Sequence, residues 1–183
     1  LVDENHPLKP FSLYGVSKSA AELLANSYHE RGDLEVVRVR SFNHIGPRQD
    51  CRFVVSSFAR QIVEIEADKK PVLKVGNLES ERDFTDVRDT VRAYFSVIKK
   101  GKSGEVYNVC SGTDRKIRDV LMELIRQAGV SIEIKSDEER FRPNIPVNLG
   151  GDFSRLKALT GWQPEIPLEK SLEDILAFWR EKL

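Results

Sequence analysis

Sulfur, imidazole and a surplus of either charge are what this chain has little of. Its 183 residues include two cysteines, three histidines and one methionine. Cys51 and Cys110 form no Cys-x-x-Cys pair and have no histidine at ligand spacing, which argues against a zinc site or a disulfide framework and predicts reduced thiols. Basic and acidic side chains balance at 29 each. Without a basic excess, a nucleic-acid groove or an anionic membrane is excluded as the main partner. No apolar run approaches the ~20 residues of a spanning helix, and no basic-then-apolar signal peptide opens the chain. The glycines never fall into Gly-x-Gly-x-x-Gly; Gly101-Lys-Ser-Gly104 stops short because position 107 is Tyr. A dinucleotide pyrophosphate therefore has no evident glycine loop. These absences predict a soluble, cytoplasmic, metal-free protein. The chain opens on Leu1-Val-Asp-Glu-Asn-His-Pro7, which reads like a loop interior, and Met122 is its only methionine, so a fragment of a longer protein is expected.

What is present alternates helical and β-branched stretches. A chain of this length buries roughly 70% of its unfolded surface, enough for an ordinary core. Helical spacing of Ala21, Leu24 and Tyr28 predicts a helix over Ser17–Arg31, stopped by Gly32. Val54, Phe58, Ile62 and Ile65 predict another over Phe53–Lys69, and Val87, Val91, Tyr94, Phe95 and Ile98 a third over Asp86–Lys100. Lys116–Ala128, Ser154–Leu159 and Leu168–Leu183 complete the helices, the last with Leu172, Ile175, Leu176 and Trp179 inward. Strands are predicted at Glu35–Phe42, Val72–Val75, Glu105–Cys110 and Ser131–Lys135. Strands spaced by helices imply an α/β fold with some parallel pairing.

Tyr14 and Lys18 lie four residues apart, on one helical face about one turn from each other. A cation beside a phenol favours its ionised form, which suits proton transfer near neutrality. Such a pair also arises by chance, and a surface pair without a role is the competing reading. The surrounding Pro10-Phe-Ser-Leu-Tyr14-Gly-Val-Ser-Lys18-Ser-Ala-Ala-Glu22 strongly resembles the active-site helix of extended short-chain dehydrogenase/reductases acting on nucleotide sugars. Four further blocks match that family in order: Arg40-Ser-Phe-Asn43-His44-Ile-Gly46-Pro47; Gly76 to Asp89, containing Arg82-Asp83-Phe-Thr-Asp86; Val106-Tyr-Asn-Val-Cys-Ser-Gly112; and Arg142-Pro143 followed by Thr160-Gly-Trp162-Gln-Pro164. The wording is most similar to the GDP-sugar branch, which holds GDP-mannose 4,6-dehydratase and GDP-6-deoxy-4-keto-hexose reductase, the reductase being the closer likeness.

The resemblance implies roles by position. Tyr14 would exchange a proton with the sugar C4 oxygen, and Lys18 would bind the ribose of an NAD(P) cofactor beside it. His44 would lie at the nicotinamide side. Asn43 would hold the substrate diphosphate, Arg82 and Arg142 would grip phosphate or ribose, and Val54 and Lys74 would flank the base. Guanidinium, planar and permanently charged, suits a diphosphate. Each has a plainer rival: Asn43 as a loop cap before Gly46-Pro47, or Arg82-Asp83 as a surface ion pair. The family usually places an acid soon after Arg142-Pro143, whereas Asn144-Ile-Pro146 stands here, which weakens the expected nucleotide preference.

The implied architecture is the C-terminal part of a Rossmann-like parallel sheet plus a smaller α/β substrate domain. Residues 1–50 would finish the cofactor domain, and 51–183 would mainly bind the nucleotide sugar, with some segments returning to the sheet. The family's glycine-rich cofactor loop is absent from this chain. The reading is a portion of an NAD(P)-dependent nucleotide-sugar 4-keto reductase, inactive as an isolated chain. A dehydratase or epimerase fragment is the alternative enzyme, and a non-catalytic nucleotide-sugar or partner-binding module the alternative class. A homodimer, or the cofactor half as a separate chain, is the expected partner.

Overall fold

The computed structural model describes residues 1–67, 70–140 and 150–183. Its helices are α1 (Leu13–Glu30), α2 (Val54–Glu66), α3 (Val87–Lys100), α4 (Ile117–Ala128), α5 (Ser154–Thr160) and α6 (Leu168–Lys182). The strands are β1 (Arg38–Ser41), β2 (Asn43–Ile45), β3 (Val72–Val75), β4 (Glu81–Asp86), β5 (Val106–Val109), β6 (Asp114–Lys116) and β7 (Glu133–Ser136). β1 runs parallel to β5, β2 parallel to β4, and β3 parallel to β7, while β4 and β6 are antiparallel. The expected α/β class with parallel pairing is therefore what the chain adopts. Among the described residues no helix is long and apolar enough to cross a membrane.

Local chemistry sets the boundaries. α1 begins before the expected Ser17 because the hydroxyl of Ser12 accepts the Gly15 N–H at 3.0 Å and caps the helix. α3 begins at Val87, where the Asp86 carboxylate accepts the Arg88 N–H. α4 ends at Gly129, whose φ of +69° is the left-handed conformation that glycine adopts without strain. α2 ends at Glu66, and the last residues expected of it, 68 and 69, lie outside the described residues.

Three strands, β2, β4 and β6, fall outside the expected set. β4 is the instructive one. Glu-Arg-Asp-Phe-Thr-Asp reads as polar surface, yet Asp83 is 0% exposed and Asp86 3%. Both carboxylates are satisfied inside. Asp83 accepts the backbone N–H groups of Ser111, Gly112 and Gly151, and Asp86 accepts from Arg88 and the Ser171 hydroxyl. Buried charge is tolerated where hydrogen bonds of this kind replace water.

Two cores result. In the larger, α2, α4 and α6 pack over β3 and the β2–β4 pair, with Ile62, Leu121, Leu124, Leu172 and Ile175 fully enclosed. In the smaller, α3 and α5 pack on β1 and β5 through Ala93, Val97, Tyr107, Val109, Leu156 and Trp162. The Trp162 indole N–H donates to the carbonyl of Asp89, whose carboxylate accepts the N–H groups of Glu165 and Ile166. The apolar stripes of two helices stay largely at the surface. α1 buries no residue, and Leu24 stays 61% exposed. On α3 the inward side is Ala93 and Val97, whereas Val91, Tyr94, Phe95 and Ile98 face solvent.

Candidate active site

Tyr14 occupies the first turn of α1 and is 72% exposed. The ammonium of Lys18, one turn later, lies 5.4 Å from the Tyr14 ring centroid. The orientation of this helix against the sheet is set by Glu22. Its carboxylate accepts Arg40 Nε at 3.1 and 3.0 Å and Nη2 at 2.7 Å, in a bidentate pair that is largely out of solvent. Arg40 Nη1 also donates to the carbonyl of Glu4. Glu22 belongs to the Tyr-Lys block and Arg40 opens the Asn43-His44 block, so one ion pair locks two motifs together.

Beyond Arg40 the chain enters β2. Asn43 lies in this strand, opposite Phe84, and its side-chain amide reaches the carbonyl of Asp83 at 3.5 Å. The loop-cap alternative for Asn43 is thereby corrected. His44 pairs with Thr85 and is exposed, with Nδ1 3.3 Å from the carbonyl of Phe42. Gly46 is required by space: a Cβ there would lie 2.6 Å from Cγ1 of Val87 on α3. Arg82 sits on β4 beside this strand, and burial pulls its guanidinium below the usual value while the Asp114 carboxylate opposes that fall. Asn43, His44 and Arg82 thus share two neighbouring strands.

Val54 is the first residue of α2 and 39% exposed. Lys74 projects from β3 with its ammonium 3.8 Å from Asp137. Gln61 joins these elements, accepting the N–H of Lys74 at 3.0 Å and donating to its carbonyl at 3.3 Å. Arg142 and Asn144 lie outside the described residues.

Sequence reasoning passes over two groups here. Asp83 is not the partner of a surface ion pair; it is the buried acceptor that ties β4 to the turn after β5 and to Gly151. Arg115 on β6 stands directly opposite Arg82. The thiol of Cys110, close to Asp83, is pushed well up by burial and by that carboxylate, which makes it a poor nucleophile. Both cysteines are free.

A parallel α/β sheet with a Tyr-x-x-x-Lys helix on its flank defines an extended short-chain dehydrogenase/reductase of the nucleotide-sugar class. The model of the GDP-mannose 4,6 dehydratase family matches residues 1–175, and the chain belongs to that family. It is 40% identical over 179 residues to the GDP-6-deoxy-D-mannose reductase of Pseudomonas aeruginosa, covering 97% of this chain and 58% of the relative. GDP-mannose 4,6 dehydratase 1 of Arabidopsis thaliana is 29% identical over 187 residues, covering 98% of this chain and 52% of that protein. A solved structure of RMD from Pseudomonas aeruginosa complexed with NADPH superposes with a TM-score of 0.93 at 39% identity, covering 98% of this chain and 60% of that one. UDP-glucuronic acid 4-epimerase from Bacillus cereus, in complex with NAD, gives 0.81 at 26% identity, covering 99% of this chain and 56% of that one. The chain therefore spans between half and three-fifths of the length of these relatives.

Proposed function

We propose that the chain carries the substrate-side portion of an NAD(P)-dependent reductase acting on a GDP-linked 6-deoxy-4-keto-hexose. The observation that carries this reading is the Tyr14–Lys18 pair on α1, locked by Glu22 and Arg40 to β1, from which the chain runs directly into the β2 strand that bears Asn43 and His44. The 40% identity to a GDP-6-deoxy-D-mannose reductase supports the choice of reduction and of a GDP sugar. The likenesses to dehydratases and an epimerase keep the same class of ligand.

Fit to the cofactor is partial. The Tyr14 hydroxyl and the Lys18 ammonium, both exposed and one turn apart, suit the ribose and nicotinamide end. The glycine pattern of the sequence offers nothing for the pyrophosphate end. When bound, the cofactor supplies hydride. The residues of this chain do the rest: Tyr14 gives its proton to the C4 oxygen, Lys18 stabilises the charge left behind, and Asn43 and Arg82 hold the substrate phosphates. Residues 1–50 belong to the cofactor side of the cleft and 51–183 mainly to the sugar-nucleotide side. Exposure of Tyr14 favours a second, narrower reading for these residues alone, that of a nucleotide-binding module without turnover.

Thermal-shift titration with GDP, UDP, dTDP and NADPH tests both. A ligand that binds only the folded chain raises its midpoint as its concentration passes Kd. GDP should stabilise most and NADPH little, and no NADPH should be consumed with a GDP-linked 4-keto sugar. Strong stabilisation by NADPH, or steady turnover, overturns the partial cofactor fit. In an assembly that does turn over, Tyr14→Phe should lower kcat by on the order of 10²–10⁴-fold while GDP affinity is kept. Unchanged kcat removes Tyr14 from the chemistry.

A further inference from the structure

β6 meets β4 through directly opposed pairs, and in one of them, Asp83 with Asp114, both members are acids. Opposed residues of an antiparallel pair have Cβ atoms about 4.5–5.5 Å apart, and like charges there repel. The two carboxyls are unequally provided for. Asp83 is 0% exposed and accepts the N–H groups of Ser111, Gly112 and Gly151 at 2.7, 2.9 and 3.3 Å. Oδ1 of Asp114 is buried and has no hydrogen-bond partner among the described residues. Its Oδ2 lies against Gly150, where a Cβ would come within 2.6 Å of it. An ionised oxygen that neither water nor a donor reaches is costly, and a carboxyl so placed escapes by taking up a proton.

The charges around Asp114 do not reverse this. Burial first, then Asp83 and Glu81 on β4, disfavour its ionised form and raise its pKa above the ordinary 3.8. The amino group of Leu1 and the guanidinium of Arg82 oppose that rise without cancelling it. On β6 itself Lys116 stands opposite Glu81, and Gly150-Gly151 brings only backbone to the carboxyl. A carboxylate offers about four acceptor positions. Three at Asp83 are filled by N–H groups, which leaves one for a hydroxyl from across the pair.

We propose that Asp83 and Asp114 form an acid-operated latch at the junction of the two cores. β4 belongs to the larger core, and Ser111–Gly112 follows β5 of the smaller one. With Asp114 ionised, the pair pushes β6 from β4 and loosens the junction that Asp83 holds. With Asp114 protonated by solvent, its hydroxyl donates to the open acceptor position of Asp83 and draws the strands together. The stabilisation is fully present below 3.8 and is lost as pH rises through the raised pKa of Asp114.

NMR titration of the aspartate carboxyls in the full chain reads the proton directly. The Asp114 midpoint should lie above 3.8, and in Asp83→Asn it should fall part of the way back, since burial remains when the facing charge goes. Amide protection at Gly112 and Gly151, corrected for intrinsic exchange, should rise several-fold as Asp114 takes up its proton. Asp114→Asn carries no charge and keeps an N–H donor, so it should hold the latch shut. Its melting midpoint at neutral pH should exceed that of the parent chain by about 2–4 °C, and the margin should shrink as pH falls through the Asp114 midpoint. An Asp114 midpoint at or below 3.8 overturns the proposal. A midpoint unmoved in Asp83→Asn also overturns it, because burial alone would then account for the carboxyl. Unchanged amide protection, or an Asp114→Asn margin that is absent or equal at every pH, shows that the proton does not act on the junction. Should Asp114→Asn fail to fold, the carboxyl titration and amide protection of the parent chain still decide.

Discussion

Around α2, α4 and α6 every apolar stripe meets another, and Leu121, Leu124, Leu172 and Ile175 are sealed from solvent. Around α1 and α3 the same kind of stripe meets water. Leu13 is 90% exposed, Leu23 62%, Phe95 58% and Ile98 81%, although their spacing is as regular as that of the buried set. β1 between them pairs only with β5 among the described strands, so one edge of a parallel pair is left open. Parallel sheets ordinarily have both faces covered and strands on both sides. The difference teaches that periodicity reports that a helix has an apolar face, not what covers it.

The sharpest way to break this contrast is to cut a side chain from the sealed core. Leu121→Ala, at a position 0% exposed, should lower stability by about 2–5 kcal/mol, because it removes apolar contact and leaves a cavity. Urea unfolding at neutral pH measures it. A loss below about 0.5 kcal/mol, the scale of an ordinary surface change, would erase the distinction between the two regions.

Next in size is the carboxylate that joins the cores. Asp83 on β4 holds the loops at Ser111–Gly112 and Gly151 that lead between them. Asp83→Asn keeps one acceptor oxygen and brings in an amide whose N–H groups face other donors, so it should cost about 1–3 kcal/mol. Amide exchange should rise first at Ser111, Gly112 and Gly151. Unchanged protection at those amides would show that Asp83 does not hold the junction.

A smaller effect is read from acid. Hydrogen bonding to Arg126 holds the Glu123 carboxyl at about 2, below its ordinary 4.5. The stability this adds is fully present above 4.5 and is lost as pH falls from there toward 2. Arg126 is solvent-exposed, so screening keeps the contribution to no more than about 1 kcal/mol. Glu123→Gln should flatten the stability profile between pH 5 and pH 2 by about that amount. An identical profile would deny the pair any part in the acid sensitivity of the larger core.

Much of this molecule is legible in its sequence. The helices show themselves through spacing at 3.6 residues, and the motif blocks carry the family. β4 is hidden because its buried positions include Asp83 and Asp86, so it shows neither the apolar alternation nor the short apolar run by which a strand is read in sequence. Ser12 is a visible cap signal that moves the start of α1 forward onto Leu13 and so brings Tyr14 into its first turn. Arg115 is lost inside Thr113-Asp-Arg-Lys116, which reads as a solvated turn. Only the register of β6 against β4 places that residue opposite Arg82, and register is a property of the pairing rather than of either segment.

The smallest expected effect is the one that tests the open side. Ile98→Ser on α3 removes apolar surface that is already 81% in water, so folding stability should change by no more than about 0.5 kcal/mol. Association should respond where stability does not. A contiguous exposed apolar patch is a contact surface, and Val91, Phe95 and Ile98 lie at i, i+4 and i+7 on α3, one continuous stripe. Sedimentation over a range of concentrations should show the parent chain self-associating and Ile98→Ser doing so less. A stability loss like that of Leu121→Ala would mean the stripe is covered within the chain itself, and the contrast between the two regions would fall.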